Sequence, residues 1–244
     1  MASPDSDRLA VLIDADNAQS QVVAELLTEV ASYGTATVKR AYGDWTTPQL
    51  GRWKTVLHVH AIQPVQQFSY TSGKNATDSA LIIDAMDLLH SGRVDGFCLV
   101  SSDSDFTRLA TRIRESGLAV YGFGERKTPK PFVAACDRFI YIEILQRPVA
   151  AAPATAAAPG AVMQATMPPA GPTLHAAIAA VDQEDGWALL SQVGNWLLKH
   201  DPSFDPRNFG CKKLSDLVRS QADLDLKAVP SSQGAHLYVR LREE

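Results

Sequence analysis

One stretch, RPVAAAPATAAAPGAVMQATMPPAGPT at 147–173, constrains this chain more than any other part of it. It carries a single charge, Arg147 at its start, and six prolines, and its apolar residues follow no helical period. Composition of this kind resists packing and forms a semi-extended linker. A chain of 244 residues interrupted in this way folds as two bodies, each with its own core. The expected organisation is a domain at 1–146, a linker at 147–173 and a smaller domain at 174–244.

The first domain alternates between two periods. Strand-like LAVLID (9–14) precedes an amphipathic stretch, 18–33, with Val22, Val23, Leu26, Leu27 and Val30 at helical spacing. ATVKRAY (36–42), a helical 47–57 and a short strand HVHAIQPV (58–65) follow. TDSALIIDAMDLLHSG (77–92) reads as a helix ended by Gly92. GFCLVS (96–101), helix 105–116, LAVYGFG (118–124), helix 130–136 and RFIYIE (138–143) complete the alternation. Strands alternating with helices predict an α/β fold, a parallel sheet with helices on both faces. Ligands of such sheets bind beyond the carboxyl ends of the strands.

Bulk properties narrow the class. No apolar run approaches the roughly 18–20 residues that span a bilayer. The start, MASPDSDR, lacks the basic and apolar segments of a secretory signal. Cys98, Cys136 and Cys211 fit no zinc or disulfide spacing. The expectation is a reduced, cytoplasmic protein without a membrane partner. Residues 1–147 hold 15 Lys and Arg against 17 Asp and Glu, and residues 172–244 hold 8 against 10, a net −2 in each. Contact with nucleic acid must therefore rest on local basic patches and be salt-sensitive.

Acidic residues gather where strands should end. LIDADN puts Asp14 at the end of the first strand, with Asp16 and Asn17 in the following turn. NATDSALIIDAMD puts Asp78 in the first turn of a helix, and SSDSDF puts Asp103 and Asp105 after the fourth strand. Helix capping explains any one of these, with Asp16 or Asn17, Thr77 or Asp78, and Ser104 or Asp105 as the caps. It explains the set less well, because a cap needs one oxygen per helix. Converging carboxylates repel unless a cation or protons intervene, and hard oxygen ligands suit Mg²⁺ or Mn²⁺. Ions held there can support in-line phosphodiester displacement. By helical geometry Asp84 turns away from this edge and Asp87 lies about 13 Å further along the axis; both are read as structural. His58 and His60, alternating on a strand without a third ligand, are read likewise. Lys39 and Arg40 at the end of the second strand, Lys74 before Asp78, and Arg126, Lys127 and Lys130 after the fifth are candidate phosphate contacts, or simply a solvated charged face. GFGER (122–126) lacks the longer glycine fingerprint of a nucleotide loop.

VLIDADN, KNATDSALIIDAMDLL, LVSSDSDF and GFGERKTPKPFVAACDRFIYIE together closely resemble the NYN domain of the LabA-like group, within the PIN-like nuclease superfamily, over residues 8 to about 145. The resemblance implies a PIN-like, Rossmannoid sheet and a metal-dependent ribonuclease site. Its metal and catalytic acids fall on Asp14, Asp78, Asp103 and Asp105, supported by Asn17, Asp16 and Ser102. Many PIN-like sites use Glu at one position, whereas every candidate here is Asp. The second domain resembles the OST-HTH, or LOTUS, domain. Its helices at 174–181, 187–199 and 211–221 and the hairpin-like pair around PSSQG form a winged-helix pattern. Pro202 and Pro206 stiffen the approach to a helix bearing Lys212 and Lys213, which with Arg207, Arg219 and Lys227 are candidate RNA contacts. The family is thought to bind RNA, and some members bind protein partners.

The expected function is an Mg²⁺- or Mn²⁺-dependent ribonuclease, of endoribonuclease type, whose second domain recruits RNA. The rivals are a non-catalytic RNA- or protein-binding adaptor with a vestigial acidic pocket and, further off, a haloacid-dehalogenase-like phosphatase. The latter also begins with D-x-D, but DADNA has Ala18 where its motif carries Thr or Val.

Overall fold

The computed structural model describes residues 6–68, 76–146, 170–181, 186–231 and 234–242. Two compact units separate, Met1–Pro148 and Val149–Glu244. In the first, β1 (Arg8–Asp14), α1 (Val23–Val30), β2 (Thr35–Gly43), α2 (Trp53–Val59) and β3 (Gln63–Gln66) are followed by α3 (Ala76–Ser91). Then come β4 (Gly96–Val100), α4 (Thr107–Glu115), β5 (Ala119–Gly124), α5 (Lys130–Ala135), β6 (Arg138–Tyr141) and a short α6 (Ile142–Leu145). The six strands form one sheet in the order β3-β2-β1-β4-β5-β6, with every pair parallel. This is the parallel α/β sheet that the alternation predicts, and it agrees with the PIN-like sheet that the resemblance implies.

Both central strands are buried almost throughout, which their continuous apolar runs require. Residue parity assigns the two faces. Ala10 and Leu12 of β1, with Phe97 and Leu99 of β4, pack against Leu81 and Ala85 of α3 and Leu109 of α4. Leu9, Val11 and Ile13, with Cys98 and Val100, pack against Val23 and Leu26 of α1 and Trp53 and Leu57 of α2. Asp14 continues the parity of Leu12, and Ser101 that of Leu99, so both belong to the α3 face. Chain order also reverses at β1, since β2 lies on one side of it and β4 on the other. Loops leaving the ends of β1 and β4 therefore diverge and open a crevice between them.

Several sequence expectations shift. The helix expected at 18–33 begins as a 3-10 turn, Ser20–Val22, which leaves Asp16 and Asn17 in the preceding turn. His58 is not on a strand: α2 runs to Val59 because Trp53 and Leu57, four residues apart, are both buried, and His60 ends it. Lys39 and Arg40 lie within β2, three or more residues before its end at Gly43. Lys39 Nζ donates to the His60 carbonyl at 2.6 Å. Arg40 Nη1 and the Tyr42 hydroxyl both donate to Asp84 Oδ2, at 2.8 and 2.7 Å, and clamp α3 onto β2. Both cations of β2 are thus engaged by protein groups within the body of the sheet.

The second unit comprises α7 (Ala170–Val181), β7 (Ala188–Leu189), α8 (Leu190–His200), a 3-10 turn Pro206–Phe209, α9 (Leu214–Arg219), β8 (Leu224–Ser231) and β9 (Gly234–Leu241). Its antiparallel sheet has the order β7-β9-β8, and Leu174, Ile178, Val193, Leu197, Leu217, Leu224 and Val239 form its core. Three helices followed by a hairpin make a winged helix. Helix α7 takes in the last four residues of the expected linker, with Ala170 buried and Pro172 in the first turn, where no amide hydrogen is needed. Among the described residues no helix is long and apolar enough to cross a membrane.

Candidate metal centre

The end of β1 delivers Asp14 to the crevice completely buried. Its carboxylate accepts three hydrogen bonds: from the Asn17 amide nitrogen at 3.3 Å, from Asn17 Nδ2 at 2.8 Å and from the Ser101 hydroxyl at 2.8 Å. Burial pushes its pKa up, while these donors pull it back down. Both oxygens of this carboxylate are thus held by protein donors.

The end of β4 is built on two serines and a cap. Ser101 Oγ donates to Asp14 and accepts from the Asp103 amide at 3.1 Å. Ser102 turns the other way and accepts from the Glu125 amide at 2.8 Å, tying the loop to the end of β5 rather than orienting an acid. Asp103, not Ser104 or Asp105, caps the following 3-10 turn, accepting from the Asp105 amide at 2.9 Å through Oδ1. The cap thus engages one carboxylate oxygen of Asp103.

Helix α3 supplies the third wall. Asp78 sits in its first turn, 9% exposed, and the neighbouring Thr77 hydroxyl donates to Asp16 Oδ2 at 3.0 Å, joining α3 to the turn after β1. One carboxylate oxygen from each of Asp78, Asp103 and Asp105 lies within 4.8 Å of the others. Asp14 stands outside this three-way group, yet of all neighbouring charges its own acts most strongly on Asp78. Burial first, then Asp14, Asp103, Asp105 and Asp16, raise the Asp78 pKa to about 6. Four surrounding acids weigh on this one carboxyl group, and such a site favours either a proton or a metal ion. Hard carboxylate oxygens at this spacing fit Mg²⁺ or Mn²⁺.

The raised Asp78 pKa has a measurable consequence in the metal-free protein. The folded state holds this proton more tightly than the unfolded chain does. Its contribution to stability is therefore complete below the ordinary carboxylate range and is lost as pH rises through about 6. Asp78→Asn removes that loss. In EDTA at pH 7.5 the variant should be about 1–2 kcal/mol more stable than the parent, after allowance for screening by solvent, and the gap should close by pH 4. Denaturant melts at the two pH values measure it. Added Mn²⁺ should stabilise the parent at pH 7.5 and leave the variant unchanged.

The basic candidates fare differently. Lys74 lies outside the described residues. Arg126 and Lys127 follow β5 at the same edge of the sheet, but both have partners. Arg126 lies 5.5 Å from the Tyr141 ring centroid and its amide donates to Glu143, while Lys127 Nζ sits 2.8 Å from Glu125 Oε2. In the second unit Arg207 is drawn onto the buried Asp205, at 2.7 Å, and holds the 3-10 turn together; Lys212 and Lys213 are exposed. The serine expected from the sequence to support the site is Ser102; the structure gives Ser101 the bond to Asp14, and it adds the Thr77–Asp16 link, which was not foreseen. A serine directly after a buried strand and a threonine before an acid were the available signals.

The family model described as the NYN domain matches residues 8–143, and that of the OST-HTH/LOTUS domain matches residues 172–235. Among solved structures, a protein of unknown function from Vibrio parahaemolyticus is 22% identical, with a TM-score of 0.48, covering 58% of this chain and 96% of its own. A solution structure from Chromobacterium violaceum is 41% identical, with a TM-score of 0.28, covering 31% and 83%. One from Nitrosomonas europaea is 34% identical, with a TM-score of 0.30, covering 41% and 94%. No curated protein matches the chain.

Proposed function

The chain belongs to the NYN domain family, and from that premise we propose that it is a divalent-metal-dependent ribonuclease that cuts RNA internally. The observation that carries the proposal is the convergence of Asp78, Asp103 and Asp105 within 4.8 Å at the crevice, with buried Asp14 behind them. Asp78, Asp103 and Asp105 hold the ion. Bound Mg²⁺ or Mn²⁺ supplies an activated water and charge stabilisation for in-line phosphodiester hydrolysis. Asp14, fixed by Asn17 and Ser101, adds negative charge that raises cation affinity without giving up a hydrogen bond. Thr77 and the Arg40–Tyr42–Asp84 clamp keep the first turn of α3, and so Asp78, in place. In this reading Lys127 and Arg126, which follow β5, exchange Glu125 and the Tyr141 ring for the flanking phosphate. The OST-HTH/LOTUS domain brings the RNA, and its covalent tether raises the local substrate concentration.

The test is incubation of the purified chain with labelled single-stranded and structured RNA in Mn²⁺, Mg²⁺ or EDTA. Cleavage is expected with either ion and not in EDTA. Cleavage that persists both in EDTA and in the Asp103→Asn chain removes the metal site from the mechanism. Tight RNA binding with no cleavage under any condition favours the adaptor.

A further inference from the structure

The sheet of the second unit has two chemically different faces. Leu224 and Leu226 of β8, Leu237 and Val239 of β9, and Ala188 of β7 pack into or against the core. The alternate positions, paired as Asp225 with Arg240 and Lys227 with Tyr238, belong to the other face. Trp187, immediately before β7, joins that face: Lys227 Nζ lies 3.8 Å from its ring centroid and Arg240 Cζ 4.7 Å, while Lys227 is also 5.7 Å from the Tyr238 ring. Arg242 extends the row and shares Asp225 with Arg240. All six of these side chains are at least partly exposed. Three cations against one acid give this face a net +2, in a domain whose residues 172–244 carry −2.

We propose that this outer sheet face is a single-stranded RNA-binding surface, on which Lys227, Arg240 and Arg242 engage phosphates while Trp187 and Tyr238 stack against bases. The proposal rests on the RNA-recruiting role given above to the second domain and assigns that role to a surface other than Lys212 and Lys213. A cation lying over an aromatic ring offers its N–H donors outward, three on an ammonium and five on a guanidinium. The ring also restricts the side chain in advance, so less freedom is lost when phosphate arrives. Aromatic surfaces interleaved with cations are what unpaired bases on a charged backbone require. An acidic peptide would use the cations but leave two aromatic rings without a role.

The test uses the full chain in EDTA, so that RNA is not cut, and a short fluorescein-labelled oligouridylate followed by anisotropy at several salt concentrations. The Lys227→Gln, Arg240→Gln chain should bind about tenfold or more weakly. Its slope of log K against log salt should fall by about 1.4, since each phosphate that a cation no longer neutralises on a single strand accounts for about 0.7. Lys227→Gln alone, which disturbs only ring contacts, should give about half that change in slope with an unaltered thermal midpoint. Asp225→Asn, which makes the face more positive, should bind more tightly. The Lys212→Gln, Lys213→Gln chain should keep most of its affinity.

Unchanged affinity in the double variant overturns the proposal, as does weaker binding with an unchanged slope. A greater loss from the Lys212, Lys213 pair overturns it too, and equal or weaker binding by Asp225→Asn counts against it. If the unaltered chain binds no RNA, RNA recruitment falls together with this face. If it binds and cleaves RNA while the double variant binds equally well, only the face falls. A labelled acidic peptide that binds where RNA does not, and whose binding is abolished in the double variant, reassigns the face to a protein partner.

Discussion

Asp103→Asn is expected to lower RNA cleavage at saturating Mn²⁺ by about a thousandfold or more, while the protein melts no earlier than the parent. The two halves of this result come from two properties of one side chain, its capping oxygen and its charge. Oδ1 caps the 3-10 turn by accepting from the Asp105 amide, and asparagine caps as well as aspartate does. The fold is therefore spared. What disappears is the charge of one of three acids whose oxygens converge within 4.8 Å. Metal assistance to phosphoryl displacement amounts to several kcal/mol, and about 4 kcal/mol corresponds to a thousandfold in rate. Removing the charge also relieves Asp78, which Asp103 disfavours in its ionised form. Asp103→Ala should lose activity equally but forfeit about 1 kcal/mol of stability with the cap. Single-turnover cleavage and denaturant melts of the two variants separate the roles; equal stability losses in both would show that the cap is not what Asp103 contributes to the fold.

Gly124→Ala should destabilise the first unit by about 3 kcal/mol and weaken metal binding as well, whereas Gly122→Ala should cost stability alone. A Cβ on Gly122 would stand 2.4 Å from Phe139 Cδ2 and 2.7 Å from Cys136 Sγ, both in a packed core. A Cβ on Gly124 would stand 2.6 Å from the Ser101 carbonyl oxygen and 2.7 Å from Thr128 Oγ1. Overpacking of this kind costs about 1–3 kcal/mol and sometimes more. Only the second clash pushes on backbone that carries the site, because Ser101 holds both Asp14 and the Asp103 amide. Isothermal titration with Mn²⁺ below the melting range, beside thermal unfolding, distinguishes the two glycines. Equal Mn²⁺ affinity in both would mean that the site does not depend on the position of Ser101. The G-F-G of β5 is thus a packing feature: its glycines let β6 and the β4 loop approach the strand closely.

The α/β alternation was legible because period and parity are local. Short β-rich apolar runs such as LAVLI and GFCLV, alternating with helical stretches, suit central parallel strands. The spacing of Trp53 and Leu57 was equally local, yet H-V-H beside it imitated a strand, and only burial of those two residues decided for the helix. Lys39 and Arg40 were misplaced for a different reason. The strand read at 36–42 ends at Gly43, so its end was nearly right, but Arg40 and Lys39 lie three and four residues inside it, in the body of the sheet.

The acids follow the same division. The sequence by itself determined that Asp14, Asp78 and Asp103 stand at element ends, since each adjoins a buried run or opens a helix. The expectation of two bodies also came from the sequence, from one charge and six prolines over 147–173, and the structure draws the last four of those residues into α7. Only the tertiary structure decided which oxygens meet. Asp103 and Asp105 reach Asp78 from a distant part of the chain because β4 crosses to the far side of β1. Asp14 is set behind that group because Ser101 and Asn17 take up its oxygens. Side-chain direction at a strand end depends on the neighbour across the sheet, and that neighbour is fixed by topology rather than by the residues beside it in the chain.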